Sequence, residues 1–268
     1  MNFKKLSRFI KKNSFLLIFI FCIVFVAGAV FIKTFVSKPQ YVYAKVKLGQ
    51  GLWWATTAKS AIWTVNALNK NDISRDLLGN PQAEILDRKY YRWYLNDQFD
   101  VYLQLKLKVS YNKKTGEYTY NRNNLSINSP IEIQFPKTYI SGTVFALSDK
   151  PFNDDYQEKI ITLTKRNAYP FEFDSINIGD TYFDGKDTIF EVLDKSESDT
   201  YYLSSETGGD ISTSTEPRKR IVVKAKIKVK DVGGQWVFGE DQIVIPGKTL
   251  TISTKNFQFD SYYINKVE

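Results

Sequence analysis

The chain has 268 residues, of which 43% are apolar and 25% are charged, and this is the composition of a globular protein. It contains no His and a single Cys. These counts exclude Ser-His-Asp and Cys-His nucleophiles, His-ligated metals, Cys-cluster zinc sites and an internal disulfide. We therefore expect a protein that is not an enzyme, with no catalytic, cofactor-binding or metal-binding residues and no cofactor.

The formal net charge of +8 is concentrated at the N-terminus. Residues 1–38 carry seven cations and no acid, and the rest of the chain carries 30 cations against 29 acids. Nucleic-acid binding requires a basic surface on the folded part of a protein. The sequence therefore predicts no nucleic-acid partner.

A charge-free apolar segment follows the basic tail. Residues 15–32 read FLLIFIFCIVFVAGAVFI, and at 1.5 Å per residue they span about 27 Å, close to the hydrocarbon core of a bilayer. We predict a cytoplasmic tail over 1–14 and a transmembrane helix over 15–36. The preceding cations place the N-terminus inside, so the bulk of the chain is extracytoplasmic. The alternative is a secretory signal cleaved after Ala29, and it leaves residues 39–268 on the same side of the cytoplasmic membrane.

Beyond the anchor, apolar and polar residues alternate. Residues 101–109 place Val, Leu, Leu, Leu and Val on one face, and residues 221–229 repeat the pattern with Val223, Ala225, Ile227 and Val229 inward. Strict period two over nine residues predicts half-buried β-strands.

The alternating segments recur in the same order, which indicates a tandem duplication. Glu84-Ile-Leu-Asp87 returns as Glu191-Val-Leu-Asp194, and Val109 with its following hairpin returns as Val229. The predicted fold is mainly β: an N-terminal transmembrane helix followed by two tandem small β-barrel or sandwich-like domains, at 40–148 and 156–268. We expect a polar linker at 149–155, a short helix within 58–69 and a mobile loop at 197–217.

Turn glycines and closing strands of the second unit carry a family resemblance. They are Ile176-Asn-Ile-Gly-Asp180, Gly185, Glu191-Val-Leu193, Gly233-Gly234 and residues 245–254. This pattern resembles an uncharacterised bacterial domain-of-unknown-function family of single-pass membrane proteins with β-rich extracytoplasmic repeats. The resemblance implies no activity, and it implies association with envelope machinery. The Gly-Asp-x-Tyr-x-x-Gly run is more weakly similar to lipoyl-like hairpins of periplasmic adaptor proteins, but the heptad helices of those adaptors are missing.

Acidic side chains offer two candidate chemistries. Residues 179–187 gather three acids that could bind calcium, but their Gly and Asp suit a tight turn without any metal. Paired carboxylates could also hydrolyse glycosides. The candidates recur in both units, which favours a structural role at strand ends: Glu84, Asp87, Glu191 and Asp194.

Aromatic residues cluster in the first unit, which contains four of the five tryptophans. Buried packing, contact with a partner or the membrane interface, and stacking on sugars all remain open for them. The candidate partner or ligand contacts are Trp53, Trp54, Tyr90, Tyr91, Trp93 and Tyr94, with Trp63 nearby.

These patterns predict a single-span membrane protein whose outer region acts as a scaffold or accessory subunit of a cell-envelope assembly. The expected mechanism is docking to another envelope protein through edge strands or the aromatic surface of the first unit. The alternative is a carbohydrate-binding module that contacts a cell-surface glycan through the same aromatics.

Overall fold

The computed structural model describes residues 19, 21–26, 28, 40–49, 59–92, 98–200, 203–205, 211–213 and 217–268. Residues 19, 21–26 and 28 are helical, and residues 41–268 form one compact unit of their own. Among the described residues, no helix combines the length and apolar character that crossing a membrane requires. The predicted tail 1–14 and most of the predicted anchor 15–36 lie outside the described residues.

Residues 40–148 build the first of two curled β-sheets. The elements are β1 Gln40–Leu48, β2 Ser60–Ala61, α1 Ile62–Ala67, β3 Ile73–Arg75, β4 Pro81–Arg92, β5 Gln98–Asn112, β6 Glu117–Tyr120, β7 Asn123–Leu125, β8 Pro130–Gln134 and β9 Tyr139–Ser148. The spatial order is β3-β4-β5-β1-β9-β8. One face of β1, β4 and β5 packs against α1 to enclose a first core.

Residues 156–268 build the second sheet. The elements are β10 Tyr156–Ala168, α2 Pro170–Ser175, β11 Thr181–Phe183, β12 Thr188–Thr200, β13 Leu203–Ser205, β14 Ile211–Thr213, β15 Arg218–Val232, β16 Gln235–Phe238, β17 Gln242–Ile243, β18 Ile252–Ser253, β19 Gln258–Phe259 and β20 Tyr263–Val267. The spatial order is β11-β12-β15-β10-β20, and β13-β14 and β18-β19 form separate two-stranded pairs.

The two sheets share one topology, as a tandem duplication predicts. Replacing β3, β4, β5, β1 and β9 by β11, β12, β15, β10 and β20 converts the first order into the second. In both halves the short helix lies between the first two long strands of the chain. Residues 41–268, which include both halves, pack as one compact unit.

Corresponding turns are built by the same backbone hydrogen bonds. The N–H of Asn71 donates to the carbonyl of Ile85, and the N–H of Gly179 donates to the carbonyl of Val192. Both turn residues have positive φ, 70° at Asn71 and 88° at Gly179, a conformation that Gly and Asn tolerate best. Asn therefore performs in the first half the backbone role that Gly performs in the second.

In each half, a cation next to a β-bulge donates hydrogen bonds to carbonyls at the end of the short helix. The bulge lies between Ile85 and Asp87 in β4, and its counterpart lies next to Asp194 in β12. Directly after the bulge, Arg88 donates to the carbonyls of Val65 and Leu68, and Lys195 donates to that of Phe173. The carbonyls at the C-terminus of each helix thus find a positively charged donor.

The period-two pattern correctly identified the central strands. Val101, Leu103, Leu105 and Leu107 are fully buried in β5, as are the four inward residues predicted for β15. The helix expected within 58–69 is present as α1, and it spans only Ile62–Ala67. The loop expected at 197–217 was wrong in part: β12 continues to Thr200, and β13 and β14 pair within the segment. Ser- and Thr-rich sequence is compatible with a paired strand, because Thr has high β-propensity.

Candidate functional site

Two of the six predicted aromatic contacts are described, and both lie where the sheets meet. Tyr91 is 5% exposed and packs in the core of the second sheet. Tyr90 is half-buried, and its N–H donates to the carbonyl of Asp184 at 2.7 Å. Tyr91 is therefore a core residue rather than a partner contact, because the second sheet covers its ring. The other four lie outside the described residues: Trp53, Trp54, Trp93 and Tyr94.

The bulge in β4 explains why Tyr91 faces the second sheet. Ile85 and Tyr91 have the same parity in a strand, yet Ile85 packs in the first core and Tyr91 in the second. The register shift between Ile85 and Asp87 reverses which face of the strand the following side chains occupy. Strand parity alone would place both side chains on one face.

Two glycines let the sheets approach closely. A Cβ atom on Gly185 would lie 2.5 Å from the Tyr90 ring, and a Cβ atom on Gly239 would lie 3.2 Å from the Tyr91 ring. Both glycines also have positive φ, 101° and 67°. Each tyrosine of the pair therefore rests against a glycine of the other sheet.

A buried ion cluster joins the two sheets. The Nζ atom of Lys230 lies 2.6 Å from Glu240 and 3.1 Å from Asp154. Lys89 contacts the same two carboxylates, and Lys45 lies 2.9 Å from Asp154. All five side chains are at most 16% exposed. Three cations thus share two acids, and one of those acids, Asp154, comes from the predicted linker.

The cluster affects its members unequally. Burial by itself would lower the pKa of Lys89, but Glu240 and Asp154 outweigh burial and raise that pKa. Burial likewise opposes the charge of Asp154, yet Lys89 and Lys230 hold its pKa well below the usual value. The pKa of Lys230 is lowered, because burial and the neighbouring cations Lys89 and Lys45 oppose its charge despite the nearby Glu240. Of these two lysines, the cluster therefore stabilises the charge of Lys89 and opposes that of Lys230.

The space beside this cluster is too small for an organic ligand. A cavity of about 20 Å³ is lined by Lys45, Lys89, Asp154, Glu240 and neighbouring side chains. That volume accommodates about one water molecule. The cluster is therefore a joint between the sheets rather than a binding pocket.

Each half presents an exposed aromatic ring at the same position of its short helix. Trp63, the second residue of α1, is 78% exposed, and Phe171, the second residue of α2, is 61% exposed. The helices are held by inward residues two positions later, Val65 and Phe173, which pack against the two cores. We call these two exposed rings the helix aromatics.

An open cleft of about 810 Å³ lies on the first sheet. Tyr139 on its wall is 55% exposed, whereas Tyr120 is 4% exposed. Burial raises the pKa of the Tyr120 hydroxyl to about 12, although the Asn121 side chain opposes the rise. The remaining polar lining side chains are Asn123, Asn124, Glu132 and Thr143.

The acidic residues singled out in the sequence serve turns and strand pairs. Asp184 accepts the N–H groups of Lys186 and Asp187, and Asp180 accepts that of Asn177. Glu191 lies 3.0 Å from Lys226 on the neighbouring strand. Within the described residues, no group of acids is arranged to hold a metal ion.

Comparison of the chain with protein-family models, with curated proteins and with solved structures gave no match.

Proposed function

We propose that the chain is a membrane-anchored, extracytoplasmic scaffold or accessory subunit of a cell-envelope assembly. In this proposal it has no catalytic role and docks to a partner protein through the helix aromatics, Trp63 and Phe171. The charge-free segment 15–32 with its preceding cations supports the anchor and its orientation. The observation that supports docking is the exposed aromatic ring at the same helix position in both halves.

Large rings exposed to water are poorly explained by folding alone. Trp63 and Phe171 are each more than half exposed, while the residues two positions later are anchored in the cores. Burying such a ring against a partner removes its apolar surface from water, and Trp is enriched among residues that dominate binding energy. A scaffold protein gains most from such residues at its docking points.

The ion cluster supports the same role by joining the two sheets. Lys89 of the first sheet and Lys230 of the second sheet both bind Glu240, and residues 41–268 form one compact unit. Two docking points on one folded unit bind a partner with little ordering cost.

The test is co-purification of the tagged full-length chain from native membranes after cross-linking. We expect a stoichiometric envelope protein with the wild-type chain and at least tenfold less of it with Trp63→Ala/Phe171→Ala. Ile127→Ala/Val232→Ala is the matched control, because both of those side chains are 58% exposed and lie elsewhere on the surface. Equal recovery from the two double variants would refute docking through the helix aromatics.

A second candidate function, carbohydrate binding, is favoured by the cleft on the first sheet. Its exposed Tyr139 offers a ring face to a sugar, and Asn123, Asn124 and Glu132 offer hydrogen-bonding groups. If this candidate is correct, neutral cell-surface oligosaccharides will bind the full chain, and Tyr139→Ala will abolish binding while Trp63→Ala will not. The docking proposal expects no such binding.

A further inference from the structure

We propose that the second sheet carries a binding site for a phosphate group attached to a larger ligand, in an open cleft at the end of β10. The cleft has a volume of about 550 Å³, within the range of small-molecule sites. Arg166 and Arg220 supply the phosphate contacts, and Tyr263 supplies a ring for the attached group. This site is independent of docking through the helix aromatics.

The charge of the cleft is one-sided. Three of its lining residues are cations, and none is an acid. Lys165 is already neutralised by Glu172 at 2.9 Å. Among the described residues, the guanidinium groups of Arg166 and Arg220 form no ion pair and no side-chain hydrogen bond. The two guanidinium groups are therefore the charges available to an anion.

The backbone brings these two arginines together. Lys165 pairs with Ile221 and Ala168 pairs with Lys219, so Arg166 and Asn167 lie opposite the single residue Arg220. Such a bulge redirects side chains and is frequent beside functional sites. Like charges opposite each other destabilise a sheet, and an oxyanion between them removes that cost.

An aromatic ring lines the same cleft as the two arginines. Tyr263, on the neighbouring strand β20, is 54% exposed and can stack on a sugar or glycerol attached to the phosphate.

The first sheet provides an internal comparison. Equivalent positions carry Asp100 in place of Arg220 and, directly after β1, Gly49 in place of Arg166. Asp100 is itself bound by Lys59 and Lys47, at 2.5 and 3.2 Å. The cationic pair is therefore a property of the second half and not a requirement of the shared fold.

The test measures binding to the full-length chain in a neutral detergent by isothermal titration calorimetry. The first probe is α-D-glucose 1-phosphate with glucose as its control. The second probe is dioctanoylphosphatidylglycerol with dioctanoylphosphatidylcholine as its control. These two arms distinguish a phosphorylated glycan from an anionic lipid headgroup as the source of the phosphate.

We expect one of the two anionic probes to bind more tightly than its control, and Arg166→Gln/Arg220→Gln to weaken that binding about tenfold or more. Lys113→Gln/Lys114→Gln removes the same charge from an exposed hairpin that does not line the cleft, and should bind as the wild type does. Equal weakening by both double variants, or no binding of either anionic probe, would overturn the proposal. Circular dichroism of each variant verifies that it is folded.

Discussion

At the scale of single residues, Gly185 of the second half lies against the Tyr90 ring of the first half. Its φ is 101°, and a Cβ atom would lie 2.5 Å from the Tyr90 ring. Gly185→Ala should lower the free energy of unfolding by about 3 kcal/mol, because backbone strain and overpacking add. Gly234→Ala is the control, since its φ is 83° with no neighbour within 4 Å, and it should cost only about 1 kcal/mol. Urea denaturation followed by tryptophan fluorescence measures both, and equal losses would contradict a close contact at Gly185.

At the scale of elements, the cation after each bulge holds a helix in place. Arg88→Met removes the donor to the carbonyls of Val65 and Leu68, and should cost about 2 kcal/mol. The loss should be local, so hydrogen exchange of the α1 amides should accelerate while that of α2 stays unchanged. Lys195→Met should give the reverse pattern through Phe173. Uniform acceleration in both helices would contradict this assignment.

The sequence was most informative about the secondary-structure elements. Alternation in β5 and β15 follows directly from one buried face, and the recurring Glu-x-Leu-Asp motifs mark the two bulges. The direction of Tyr91 could not be predicted, because the bulge reverses strand parity. The ion cluster was missed because Lys45 and Lys89 look like the solvated face of a strand, and Asp154 lies in a polar connection. The second sheet covers this face of the strands, and the sequence of the first unit gives no sign of that contact.

At the scale of the whole molecule, the ion cluster joins the sheets with one cation in excess. Lys89→Met should destabilise the chain by about 3 kcal/mol, because it removes the cation that both carboxylates favour. Lys230→Met should stay within about 1 kcal/mol of the wild type, since burial and neighbouring cations already disfavour its charge. Thermal unfolding of the two variants at neutral pH makes the comparison. Similar losses of stability in the two variants would contradict the inferred difference between Lys89 and Lys230.

The same cluster predicts a pH dependence. Asp154 has a lowered pKa in the folded chain, against an ordinary value of 3.8. Its charged form therefore contributes stability above pH 3.8, and the contribution disappears as the pH falls through the lower folded value. Asp184 acts in the opposite direction, because burial raises its pKa. The pH dependence of wild-type stability therefore combines both effects, and a variant of Asp154 is needed to separate them. The destabilisation caused by Asp154→Asn should be large at pH 6 and smaller at pH 3, and an equal effect at both would contradict the cluster.

The most direct measurement of the proposed docking role is site-specific photo-cross-linking in native membranes. A photoreactive residue at position 63 and, in a separate chain, at position 171 should capture the same envelope protein, because both rings belong to one compact unit. The same residue at position 232, where Val232 is 58% exposed, should not capture it. Capture from 63 and 171 alone is the predicted result. No adduct from either helix, or the same adduct from all three positions, would contradict the docking account.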